Sequence, residues 1–83
     1  MKLLYFAWVR QKIGRSEEDL ALPSDVTTVA SLVDFLRGRG AGYEAAFARP
    51  ELLRCAVNQA HARFDAHIGP DDEVAFFPPV TGG

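Results

Sequence analysis

One cysteine, one methionine and one tryptophan stand among 83 residues. The single thiol, Cys55, excludes an internal disulfide framework and supplies no zinc or iron–sulfur spacing. No apolar run approaches the roughly 20 residues needed to cross a bilayer. Met1-Lys2 ahead of Leu3–Val9 has the charged start of a secretory leader, but no longer apolar region or small-residue cleavage site follows. Neither charge forms a block. Lys and Arg number nine against eleven Asp and Glu, for a net charge of −2. The basic residues are scattered, with no stripe interleaved with exposed aromatics, so neither a nucleic-acid nor a membrane partner is expected. A reducing cytoplasm fits these absences. Repeats, low-complexity tracts and linkers are lacking too.

What is present is apolar. Hydrophobic residues make up 48% of the chain and aromatics 11%, which describes one globular domain near the size where a single core is only just sufficient. Lys2 to Val9 is dense in Leu, Tyr, Phe, Trp and Val and reads as a first strand. Arg10 to Arg15 is a break with Gly14 as its turn residue. Glu17 to Leu22 reads as a second strand, with Leu20 and Leu22 on one face and Glu18 off it, so the two strands form a hairpin. The period then changes. Val29, Leu32, Val33 and Leu36 fall at i, i+3, i+4 and i+7, the stripe of an amphipathic helix. Thr27 or Thr28 caps it, Arg37 and Arg39 complement its C-terminal end, and Gly38 and Gly40 offer a left-handed stop.

Gly42 to Arg49 reads as a second short helix with Tyr43, Ala46 and Phe47 on one side, ended before Pro50. Leu52 to Asn58 is a strand, Gln59 to His67 is irregular with room for a short strand, and Ile68 to Asp72 is a turn. Glu73 to Phe77 is the last strand. Phe76 and Phe77 must point to opposite faces, one into the core and one away from it. A helix covering one face of a mixed sheet makes this an α+β domain. The order is compatible with a β-grasp (ubiquitin-like) fold and equally with another small α+β roll. Residues 1–77 form the domain and 78–83 an extended tail.

No catalytic constellation emerges. Gly38-Arg39-Gly40-Ala41-Gly42 follows a helix rather than a strand and lacks the Gly-Lys-Ser/Thr ending of a phosphate loop. His61 and His67 read as loop histidines without a metal-ligand pattern, and Cys55 as a small buried hydrophobe. Asp71-Asp72-Glu73 is a solvated acidic turn. The tail is different. Pro78-Pro79 hold it extended and aim it away from the domain. Gly82-Gly83, lacking Cβ atoms, can lie in a narrow channel and bring a carboxylate close to a phosphate. Glycine at about 7% of residues puts a chance pair at a set place in roughly one chain in 200, so the pair alone is a moderate signal.

The ending Asp72-Glu73-Val74-Ala75-Phe76-Phe77-Pro78-Pro79-Val80-Thr81-Gly82-Gly83 resembles, nearly residue for residue, that of the molybdopterin synthase small subunits. Leu3 to Arg10 is similar to that family's first strand, and Ala56-Val57-Asn58-Gln59 to another of its segments. The resemblance implies a β-grasp sulfur carrier. In it, Gly83 is adenylated by an ATP-using activating enzyme, turned into a thiocarboxylate by a sulfur donor, and inserted into the large synthase subunit. There it gives sulfur to cyclic pyranopterin monophosphate. Gly82, Thr81, Val80, Pro79 and Pro78 would supply access, and Phe77, Arg10 and His61 partner contacts on the sheet beside the tail. No cofactor or metal is expected on the chain itself, and Cys55 has no part. A carrier for thiamine or another sulfur pathway, a ubiquitin-like protein modifier, and an interaction domain with an incidental Gly-Gly are the competing readings.

Overall fold

A computed structural model of the chain describes residues 1–79. Val80, Thr81, Gly82 and Gly83, on which much of the expected tail chemistry falls, lie outside the described residues. The elements run β1 (Lys2–Tyr5), α1 (Ala7–Ile13), β2 (Glu17–Asp19), α2 (Val29–Arg37), α3 (Ala41–Phe47), a 3-10 turn (Pro50–Leu52), β3 (Arg54–Val57), β4 (Ala60–Ala62) and β5 (Glu73–Phe77). The five strands form one mixed sheet in the order β2-β1-β5-β3-β4. Its centre is the parallel pair of the first and last strands, with Leu3 opposite Val74 and Tyr5 opposite Phe76. The other pairings are antiparallel. A mixed five-stranded sheet with its helices against one face is the β-grasp arrangement expected above.

The core follows from alternation. Leu3 and Tyr5 of β1, Val74 and Phe76 of β5, and Cys55 of β3 face the helices. There they meet Val29, Leu32, Val33 and Leu36 of α2 and Phe47 of α3. Phe76 is fully buried and takes Phe47 edge-on at 5.0 Å and Tyr5 in a stack at 6.5 Å. Burying a side chain of that size stabilises the fold by about 1.5–3 kcal/mol. Thr28 is the helix cap. Its side chain accepts from the Ser31 amide while Ser31 Oγ accepts from the Thr28 amide, a reciprocal cap built with Ser instead of the usual Glu or Gln.

Several sequence expectations need correction. The first strand stops at Tyr5, and Ala7–Ile13 is a helix rather than strand end plus break. Val9 and Ile13, four apart, turn toward the core, and Gly14 closes the helix in a left-handed conformation at φ 92°. The β-prone residues Phe6, Trp8 and Val9 hid that signal. β1 and β2 are neighbours, but a helix joins them instead of a tight turn. Glu18 lies on the helix side of the sheet, since residues 18, 20 and 22 share parity; its side chain is only 5% exposed. Gly38 has φ −80° and makes no left-handed stop. The strand expected from Leu52 is shorter and begins at Arg54, and His61 stands within β4 rather than in a loop.

Candidate docking face and tail exit

The helices leave the other face of the sheet open. By register it carries a row of Leu4, Ala75, Ala56 and His61 across β1, β5, β3 and β4. A second row lies toward the end where the chain leaves. There Phe77 stands opposite Arg54. The Phe6 amide still donates to the Phe76 carbonyl at 3.1 Å, so alternation carries Phe6 onto the same face beside Phe77. Phe6 is 48% exposed, Phe77 half-buried, and Ala75 buried even though it faces away from the core. The His61 ring meets Phe77 edge-on at 5.5 Å. This is an apolar surface with its charges toward the two ends: Lys2, paired with Glu17 at 3.4 Å and in register with Asp19 and Glu73, at one, and Arg54 at the other.

The structure therefore brings together two of the three residues expected to meet a partner. Phe77 and His61 touch, and Phe76 takes the core position that alternation required of one of the pair. Arg10 stands exposed on α1, off the sheet, with no side-chain bond to either among the described residues. Pro78 and Pro79 follow β5 directly and are half-buried. Phe6 was missed by sequence reasoning. Its signal was the alternation of β1, in which residues 4 and 6 share the face that Leu3 and Tyr5 do not.

The tail leaves from a strand bonded on both sides, by β1 and by β3. The loop before that strand is held equally firmly. Asn58 and Gln59 form a two-residue turn between β3 and β4, both left-handed at φ 52° and 69°. The Asn58 side chain accepts from the Glu73 amide at 3.0 Å and donates to Asp72 Oδ1 at 2.9 Å. That pairing and the Gly69 amide hold the Asp72 carboxyl below its usual range. The Ala56–Gln59 stretch thus serves the register of β5. Cys55 is buried, its thiol donating to the Ala62 carbonyl at 3.3 Å, and burial pushes its pKa up. A protonated, enclosed thiol is a poor nucleophile.

Among the described residues no three His, Cys, Asp or Glu side chains are grouped to hold a metal ion, and no helix is long and apolar enough to cross a membrane. The family model described as the ThiS family matches residues 3–83. The molybdopterin synthase sulfur carrier subunit of Escherichia coli K12 is 40% identical over 83 residues, covering all of this chain and 99% of that protein. The protein of the same name from Haemophilus influenzae is 34% identical over the same span. Among solved structures, a putative molybdopterin converting factor subunit 1 from Pyrococcus furiosus superposes with a TM-score of 0.76 at 30% identity, covering 95% of each chain. With a family model spanning nearly the whole sequence and relatives matched end to end, the chain belongs to the ThiS family, among the molybdopterin synthase sulfur carrier subunits.

Proposed function

We propose that Gly83 is the reacting group of this carrier and that the open sheet face is the surface its partners hold. A carboxylate is a poor electrophile. An activating enzyme would join it to the α-phosphate of ATP, releasing pyrophosphate and making an acyl-adenylate with AMP as a good leaving group. The terminal sulfur of a donor persulfide then attacks the acyl carbon and expels AMP. A second thiol cleaves the resulting S–S bond and frees the thiocarboxylate, its own sulfur ending in a disulfide with the donor. In the large synthase subunit that sulfur passes to cyclic pyranopterin monophosphate, and two such transfers build the dithiolene. ATP and pterin belong to the partners; this chain supplies an acyl end and a handle, in a cytoplasmic setting.

The observation that carries this reading is the sequence Phe76-Phe77-Pro78-Pro79 at the end of the central strand. One ring anchors in the core, the next stands on an apolar face against His61, and two prolines lead on toward Gly82-Gly83. An exposed apolar patch around the strand that leads into the tail fits a protein that must be gripped by its partners while its end is inserted.

Intact-mass measurement tests it. Incubation with ATP and the activating enzyme should add AMP to the chain, and adding a sulfur donor should replace one oxygen by sulfur. Both changes should vanish when Gly83 is deleted. An unmodified mass with an activating enzyme that is active on another carrier would overturn the proposal. Sulfur loss on adding the large subunit and pterin precursor separates this pathway from thiamine-type carriers and protein modification.

A further inference from the structure

Two large apolar side chains are exposed among the described residues, Phe6 and Leu52. Phe6 belongs to the open sheet face. Leu52, 42% exposed, does not. It ends the 3-10 turn and lines a groove of about 250 Å³ between α1 and α3, floored by Trp8 and three alanines at the end of α3. The ionisable groups on this groove are cations only, Lys12 and Arg49. Lys12 pairs with no carboxylate among the described residues, and Arg49 meets only the exposed Glu51, at 3.1 Å. From Leu52 the chain runs through Leu53 into Arg54, the cross-strand partner of Phe77. The groove therefore opens at the end of the sheet from which the tail departs. Arg54 adds a third cation nearby, its guanidinium bonded among the described residues only to the Leu53 carbonyl.

We propose that this groove is a second docking surface, filled by an acidic segment of the large synthase subunit that bears an aliphatic side chain. The aliphatic group enters between Trp8 and Leu52, and flanking carboxylates pair with Lys12 and Arg49. The proposal rests on the reading above that the large subunit receives the tail. A protein that covers Phe77 meets its cross-strand neighbour Arg54, two residues along the chain from Leu52 on the groove. Charge sets the choice of segment: in a protein of net charge −2, Lys12, Arg49 and Arg54 stand at this end of the sheet against the single carboxylate of Glu51, so an acidic segment is attracted and a basic one repelled. Exposed pairing of this kind weakens with salt.

The test is calorimetric titration with the large subunit at low and high salt. It uses wild type, Phe77→Ala, Arg49→Glu, and the double variant Lys12→Glu with Leu52→Ala, all checked by thermal melting. The double variant should bind about tenfold more weakly with its melting unchanged, and Arg49→Glu should weaken binding at low salt more than at high salt. Arg49→Glu keeps the question open to test should the double variant unfold. If Phe77→Ala loses binding while both groove variants stay within about twofold of wild type, the groove has no role and the docking face stands. In a parallel titration with the activating enzyme, weakening confined to that enzyme would also overturn the proposal. A wild-type chain that never binds the large subunit removes the underlying reading and the groove with it.

Discussion

Gly42 sits where α3 crosses α1, and a methyl group placed there would press into the carbonyl oxygen of Lys12 and meet the Ile13 backbone. The obstacle is main chain, which cannot rotate away as a side chain would. Gly42→Ala should therefore destabilise the fold by about 1–3 kcal/mol, the usual cost of overpacking, readable as a lower urea midpoint with an unchanged slope. Gly38, where a Cβ would meet nothing closer than 3.5 Å, is the control and should tolerate alanine. Nothing in the Gly38-Arg39-Gly40-Ala41-Gly42 run distinguishes these glycines, because the contact at Gly42 is made by a helix some thirty positions earlier. Ala7, left-handed at φ 54° at the first position of α1, is similar. A non-glycine residue in that region carries strain, and no local sequence cue marks it.

At the scale of elements, β2, one of two three-residue strands, carries a dense polar cluster. Glu18 of β2 accepts hydrogen bonds from Tyr43 at 2.6 Å, Tyr5 at 2.8 Å and Arg39 at 2.9 Å, with Arg15 further off at 3.5 Å. One carboxylate thereby ties β2 to β1, α3 and the loop after α2. Burial pushes its pKa up, but the two hydroxyls and the Arg39 guanidinium outweigh that and hold it below the usual carboxylate range. Burial and the neighbouring carboxylate push both tyrosines up, so they remain donors. With its folded pKa depressed, Glu18 binds its proton more weakly in the folded chain than in the unfolded one. Its contribution is whole above the unfolded carboxylate's pKa and lost as pH falls through the folded value. Glu18→Gln should cost stability at neutral pH, and the gap from wild type should close as urea melts are repeated down to about pH 3. A constant gap would mean that the charge itself contributes nothing. The expectation that set Glu18 off the face of Leu20 and Leu22 ran against strand alternation, which gives all three the same side; what no local stretch contains is the pair of tyrosines that satisfy the carboxylate there, thirteen residues before it and twenty-five after.

For the whole molecule, neighbouring phenylalanines test how the sheet divides its work. Phe76 is buried against Phe47 and Tyr5, and Phe76→Ala should cost about 3–5 kcal/mol. Phe77 packs only on the open face, against His61. Phe77→Ala should leave the melting temperature nearly unchanged while weakening capture by the large subunit. Equal losses of stability from the two would contradict the division. That the two rings take opposite faces was legible from alternation alone, and so was the helix over Val29–Arg37, whose period, cap and apolar stripe agree. Helix α1 was not. Its seven residues make too short a pattern to outweigh their β-forming side chains, and what makes them helical is burial of Val9 and Ile13 over the finished sheet.

By itself the sequence determined the elements whose signals are local: the amphipathic α2, the final strand with its alternating faces, the turn before it, and a terminal motif specific enough to point to a family. Local periodicity and side-chain chemistry suffice for those. Only the tertiary structure decided which residues share a surface. It set the first and last strands side by side, brought Phe6 and His61 to Phe77, drew Glu18 inward, and laid the Trp8–Leu52 groove against the tail exit. These are contacts between segments far apart in the chain, created by closing one sheet over one core, and no window of sequence contains both partners.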